Sequence, residues 1–250
     1  MDKKYSFLLA LLIILLIAIN FFFIKTNLSP QRETVTIKRI IDGDTLELQD
    51  KRIIRLLNIN TPEKNSHNYE LSIDFLRPLI NKSVELEIIE TDKYDRILAR
   101  VYTQEDEYLN LKLVEKGFAS KFLVREEELE KFVKAESKAI ELELGIWKKS
   151  DYFACLESVI LPEEEKIIIT NNCHKINMLN FILKDESRKQ YEFKNIEIDT
   201  SKPITLHSGK GSDNETDIFW NIENVWNNNR DTLYLFDSKG KITHYHPYGY

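Results

Sequence analysis

Residues 34–63 read TVTIKRIIDGDTLELQDKRIIRLLNINTPE, and their pattern decides the fold of the first half of the chain. Residues 34–40 alternate between apolar and polar, as a half-buried strand does. Asp42-Gly43-Asp44 is a turn signal, and residues 45–48 and 52–57 are two further strand candidates. Pro62 cannot donate to a ladder, so the pattern breaks at Asn60-Thr61-Pro62-Glu63. Beyond the break, residues 69–80 carry Phe75, Leu76, Leu79 and Ile80 on one helical stripe. Strand patterns return at 83–89 and 97–102. Residues 108–116 suit a short helix that Gly117 ends, and 126–144 a longer amphipathic one with its acids in the first turn. Five short strands with a helix between the third and fourth is the layout of an OB-type barrel.

Upstream, residues 6–24 (SFLLALLIILLIAINFFFI) hold no charge and follow Lys3 and Lys4. About 20 apolar helical residues span a bilayer, and preceding lysines favour a cytoplasmic N-terminus. No small-x-small site follows the run, which favours an uncleaved anchor over a cleaved signal peptide. Either reading places the remainder outside the cytoplasm, with 25–33 as a polar tether. An exported chain allows a disulfide between its two cysteines, Cys155 and Cys173.

Downstream of Asp151 the character changes. Short apolar runs at 159–161, 167–170, 179–183, 191–193, 204–207 and 233–236 are separated by turn residues, which predicts an all-β sandwich. The expected organisation is therefore mixed. Residues 1–33 form an anchor or signal with linker, 34–150 an OB-fold barrel with helices, and 158–250 a β-sandwich.

The net charge of -6 excludes a protein that grips nucleic acid by a general basic surface. Any such binding must come from a local site. Phosphodiester chemistry needs a base for water and positive charge for the phosphate. Asp42, Asp44, Asn60 and Glu63 are candidate oxygen donors, and Arg55 and Arg96 candidate phosphate forks. Singly, each has an ordinary structural reading: a hairpin turn, a loop acid, a surface ion pair. Arg55 is the least ordinary, because an arginine inside an apolar strand needs partners. His244 and His246 face one side of a strand, but two such residues do not make a metal site.

Order and spacing add to this. Residues 40–45 (IIDGDT), 54–63 (IRLLNINTPE) and 92–102 (DKYDRILARVY), with 113–119 (LVEKGFA) and 144–147 (LGIW), resemble the staphylococcal nuclease family over about 34–149. The resemblance implies an OB barrel, Ca2+ as cofactor, and cleavage of DNA and RNA that leaves 3'-phosphate ends. It implies that Arg55 and Arg96 grip the phosphate and Glu63 is the general base. Asp44 and Asn60 match the two calcium-ligand side chains, and Thr61 the residue whose carbonyl completes them. Lys93 and Tyr94 match residues that contact a terminal phosphate of the substrate. Two departures stand out. Asn60 replaces a carboxylate, which removes one negative charge from the expected metal site. Leu123 and Arg125 occupy the stretch where the family brackets a base with tyrosines.

Residues 208–211 (SGKG) and 225–240 (VWNNNRDTLYLFDSKG) resemble the lamin-tail domain, an immunoglobulin-like sandwich that serves as an accessory module. This implies attachment to a protein or envelope partner. The expected function is an exported, membrane-anchored, calcium-dependent nuclease. The alternative is a non-catalytic nuclease-like binding module tethered at the cell surface, although such copies usually lose an arginine or the glutamate that this chain keeps.

Overall fold

The computed structural model describes residues 7, 11–17, 20, 31–187 and 189–250. The apolar segment 6–24, expected to be an anchor, is described only in part, and residues 25–30 of the tether behind it lie outside the described residues. Phe7, residues 11–17 and Asn20 are helical. Among the described residues no helix is long and apolar enough to cross a membrane.

The barrel begins with β1 (Glu33–Asp42), β2 (Thr45–Leu48), β3 (Ile53–Leu56) and a two-residue β4 (Ile59–Asn60). Helix α1 (Tyr69–Leu76) leads to β5 (Ser83–Thr91) and β6 (Ile97–Tyr102), followed by α2 (Leu109–Glu115), β7 (Ser120–Lys121) and α3 (Leu129–Glu141). Five strands close in the order β1-β2-β3-β6-β5. The β3–β6 pair is parallel and needs a crossover, which α1 and β5 supply. Alternation sends Ile37, Leu46, Ile54, Leu56, Leu86 and Val101 into a fully buried core that Leu113 and Phe132 cap from the helices.

The strands fall close to the sequence expectation, whereas the helix ends differ. The helix expected over 69–80 stops at Leu76 and continues as a 3-10 turn, Arg77–Leu79. Pro78 explains the stop, since it lacks an N–H and its ring crowds the preceding turn. The helix expected over 126–144 begins at Leu129, because the run of acids Glu126–Glu128 forms a 3-10 turn. Its far end is closed by Leu144 N–H donating to Ala139 O at 2.9 Å, with Glu143 and Gly145 at positive φ.

The second half contains β8 (Leu156–Leu161), β9 (Lys166–Asn171), β10 (Ile176–Asn177), β11 (Ile182–Lys184) and β12 (Gln190–Glu192). It continues with β13 (Glu197–Ile198), β14 (Ile204–His207), β15 (Asp217–Phe219), β16 (Asp231–Phe236) and β17 (Ile242–Tyr248). Two four-stranded sheets, β15-β14-β9-β8 and β12-β11-β16-β17, share one core of Leu156, Ile169, Leu183, Leu206, Trp226 and Leu235. The strand expected over 179–183 starts only at Ile182, because Asn180 takes a positive φ and the chain turns there. Cys155 and Cys173 are joined as a disulfide with Cα atoms 5.2 Å apart. His244 Nε2 and His246 Nδ1 both meet Ser158 Oγ, at 2.9 and 2.8 Å. Burial, with His246 beside it, pushes the His244 imidazole down to about 4.

Thr34–Tyr250 is one compact unit, and a third cluster joins its halves. Ala139, Ile140, Ile146 and Trp147 from the barrel side pack against Tyr234 and Ile242 from the sandwich. Beside this apolar seam lies a buried polar one. Lys121 is 1% exposed and bonds Glu136 at 3.2 Å, Thr232 Oγ1 at 2.7 Å and the Glu186 carboxylate. Burial alone would lower this lysine, but Glu136 and Glu186 outweigh it and hold it above its ordinary value.

Candidate active site

The turn between β1 and β2 places Asp44 at the inner end of the barrel wall, where it is 1% exposed. Gly43 makes this approach feasible. A Cβ there would fall 2.1 Å from Ser72 Oγ on α1 and 2.6 Å from Thr61 Oγ1, so a side chain would force three segments apart. Asp44 Oδ1 accepts from Thr45 Oγ1 at 3.0 Å, and Oδ2 from Thr61 N–H at 3.3 Å. The turn is thereby fastened to the loop that follows β4.

Arg55 answers the question its sequence position raised. It lies on β3, paired with Thr45 on one side and Leu98 on the other. Its guanidinium forms an ion pair with Asp44 Oδ2 at 3.0 Å. It also donates to Leu56 O at 2.5 Å, Ile59 O at 2.7 Å and Asn60 Oδ1 at 2.7 Å. Several acceptors around one buried planar fork fix its orientation at no further conformational cost. Asp44, Arg55, Asn60 and Thr61 thus form one contiguous cluster.

Glu63 lies three residues beyond Asn60 on an exposed loop. With Thr61, His67, Lys184, Gln190 and Phe236 it lines a cavity of about 500 Å3 between this loop and the second sheet of the sandwich. Lys184 Nζ sits 5.5 Å from the ring centroids of both Tyr234 and Phe236. Burial lowers this ammonium despite the nearby charges of Glu136, Asp185 and Glu63.

Arg96 belongs to a second cluster, on the hairpin between β5 and β6. Asp92 Oδ2 pairs with Arg96 Nη2 at 2.7 Å and accepts from its Nε at 2.8 Å. Asp92 Oδ1 receives the N–H groups of Tyr94 and Arg96. Partial burial would raise the Asp92 carboxyl, but these donors outweigh it and hold it below the ordinary carboxylate range. Tyr94 is 66% exposed, with Lys93 Nζ 5.0 Å and the Arg96 guanidinium 5.3 Å from its ring centroid. Lys93, Tyr94 and Arg96 therefore share one tip, at the mouth of the strand next to β3. Leu123, in the stretch that lacks the tyrosine pair, points outward at 68% exposure.

The family model described as "Staphylococcal nuclease homologue" matches residues 53–149, which include Arg55, Asn60, Thr61, Glu63, Lys93, Tyr94 and Arg96, while Asp44 precedes them. A thermonuclease of Staphylococcus intermedius is 32% identical over 142 residues, which cover 51% of this chain and 83% of that protein. The chain belongs to the staphylococcal nuclease family. Among other relatives of this nuclease-family chain, an uncharacterized endonuclease of Escherichia coli is 37% identical over 87 residues, covering 33% of this chain and 57% of that protein. Endonuclease YhcR of Bacillus subtilis (strain 168) is 27% identical over 138 residues, covering 46% of this chain and 11% of its own length. The match thus spans little more than half of the Escherichia coli protein.

Sequence reasoning named the barrel residues of this cluster and none from the sandwich. Asn60 Nδ2 donates to the backbone O of Glu186 at 3.0 Å, a partner 126 residues away. Lys121, Lys184 and Glu186 carried no signal, because isolated charged residues in a strand or turn read as solvated surface.

Proposed function

We propose that this chain is a nuclease that hydrolyses phosphodiester bonds of DNA or RNA, with Arg55, Glu63 and Arg96 as its catalytic residues. The observation that carries the reading is Arg55, a guanidinium buried in the barrel wall and oriented by Asp44, Asn60 and two carbonyls before any substrate arrives. Preorganised charge of this kind stabilises a transition state without reorganisation.

Calcium is the proposed cofactor, and the oxygen donors beside Arg55 suit it in part. Asp44 offers a carboxylate, and the buried Thr61 Oγ1 next to it has no hydrogen-bond partner among the described residues. Oxygen donors of this hardness suit Ca2+. Among the described residues no group of three or more acidic, His or Cys side chains gathers here, so a modest affinity is expected. Asn60, the third expected donor, turns its oxygen onto Arg55. Asp44 and Thr61 would hold the ion, which when bound supplies positive charge to a phosphate oxygen. Glu63, exposed on its loop, takes the proton of the attacking water. Arg55 and Arg96 offset the charge that builds on phosphorus-bound oxygens, acting electrostatically because guanidinium does not release a proton. Lys93 and Tyr94 bind a neighbouring phosphate from the hairpin tip.

We also propose that residues 6–24 anchor the chain with its folded part outside the cytoplasm, which the Cys155–Cys173 disulfide supports. The lamin-tail resemblance of 158–250 remains part of this proposal, and the paired four-stranded sheets support it. The decisive assay incubates the purified full chain with single-stranded DNA, in calcium or in chelator. Cleavage with calcium that stops in chelator and in Glu63→Gln is expected. Activity that survives either change would overturn this mechanism, and inactivity throughout would favour the binding-module alternative.

A further inference from the structure

Asn60 is where this chain departs from its family's carboxylate, and its surroundings require an amide. Asn60 Oδ1 faces Arg55 Nη2 at 2.7 Å, and Asn60 Nδ2 faces Glu186 O at 3.0 Å. Guanidinium only donates and a backbone carbonyl only accepts, so the two ends of the amide are assigned by their partners. A carboxylate would keep the first bond and turn the second into an oxygen–oxygen repulsion. The site is 6% exposed, so water cannot cheaply relieve it.

Glu186 is itself held firmly. Its N–H donates to Asp231 Oδ1 at 3.1 Å. Its carboxylate accepts from Thr232 Oγ1 at 2.7 Å, from Lys121 Nζ and from the Tyr250 hydroxyl. Asn60 and Lys121 come from one two-residue ladder, in which Asn60 pairs with Ser120 and Ile59 with Lys121. Adjacent points on the barrel therefore hold both ends of a single sandwich residue: its carbonyl and its carboxylate.

We propose that Asn60 is a positioning residue that fastens Arg55 to the sandwich through Glu186, in place of a calcium ligand. The sandwich is thereby a working part of the nuclease site, which deepens, and rests on, the nuclease reading above. A continuous line runs from Glu186 O through the Asn60 amide to the Arg55 guanidinium and on to Asp44.

The test is Asn60→Asp in the full chain. Three quantities are measured: kcat and KM on single-stranded DNA, calcium affinity by calorimetry, and hydrogen exchange over residues 185–187. A positioning role predicts a roughly tenfold fall in kcat, from the loss of one buried hydrogen bond that aims Arg55. It further predicts a calcium affinity within about threefold of the parent and faster exchange at 185–187. A ligand role predicts the reverse: calcium bound at least about tenfold more tightly, with kcat unchanged or raised. Either an unchanged or a raised kcat overturns the proposal. Should Asn60→Asp fail to fold, Asn60→Ala removes both the bond to Arg55 and the bond to the Glu186 carbonyl without adding a charge. A kcat lowered at least about threefold with unaltered calcium affinity then supports the bridge, and an unaltered kcat overturns it. If the parent chain cleaves nothing, the nuclease reading is what has failed. The exchange measurement still decides whether Asn60 and Glu186 are coupled, since unchanged exchange in Asn60→Asp refutes the bridge.

Discussion

Arg55 on β3 and Arg96 on the hairpin that leads into the neighbouring parallel strand β6 carry the same guanidinium, yet they are held in opposite ways. The Arg55 side chain is 6% exposed and bound to Asp44, Asn60 and two carbonyls. That of Arg96 is 25% exposed and rests on Asp92 at a hairpin tip. A buried cation costs several kcal/mol to desolvate, so its acceptors belong to the fold as much as to the site. An ion pair near the surface contributes little to stability and leaves its arginine able to turn towards a ligand. The comparison divides the labour: Arg55 is a fixed charge that the barrel cannot lose, and Arg96 an adjustable one that it can.

The most severe break is Arg55→Met. It leaves Asp44 and the Ile59 and Asn60 oxygens without their shared donor, so a loss of about 3–5 kcal/mol in denaturant titration is expected. Activity should fall by at least about a thousandfold. Glu63→Gln should follow, with kcat down roughly 10^2- to 10^4-fold and the denaturation midpoint unmoved, because the side chain is exposed. Arg96→Ala comes next: a loss of about a hundredfold in kcat/KM with stability within about 1 kcal/mol of the parent. Equal destabilisation by the two arginine substitutions would erase the distinction drawn here.

The smallest effect belongs to Asp92. Its carboxyl is held below its ordinary value of 3.8 by Arg96 and the hairpin N–H groups, against partial burial. A depressed folded-state value means that the pair stabilises above about pH 4 and is lost as the pH falls below it. Asp92→Asn should therefore flatten the acid limb of a pH–stability curve slightly and raise KM by about threefold as Arg96 loses its support. A change in kcat comparable to that of Arg96→Ala would show that Asp92 does more than hold its neighbour.

The arginines also show what a sequence discloses. Arg55 was legible because an ion inside the run Ile53–Leu56 has no ordinary excuse. The barrel strands were legible because alternation and turn residues agree. The ladder of Ile59–Asn60 with Ser120–Lys121 was not, since two residues carry no period. Nor were β10, β13 and β15, each two or three residues long. Strand β17 escaped for another reason: its run Ile242–Tyr248 is broken by polar residues and Pro247. Asn60 was visible as a departure, while its cause, the carbonyl of Glu186, lay in the other half of the chain.

The seam of Ile140, Ile146, Trp147, Tyr234 and Ile242 bears on how this molecule can be divided. A chain cut after Ser150 would present that indole and its aliphatic neighbours to water, and strand Lys121 with a single buried acid. Such a fragment should aggregate more readily than the same barrel with those positions rewritten as polar. A barrel exchanged without its sandwich would carry that exposed seam with it.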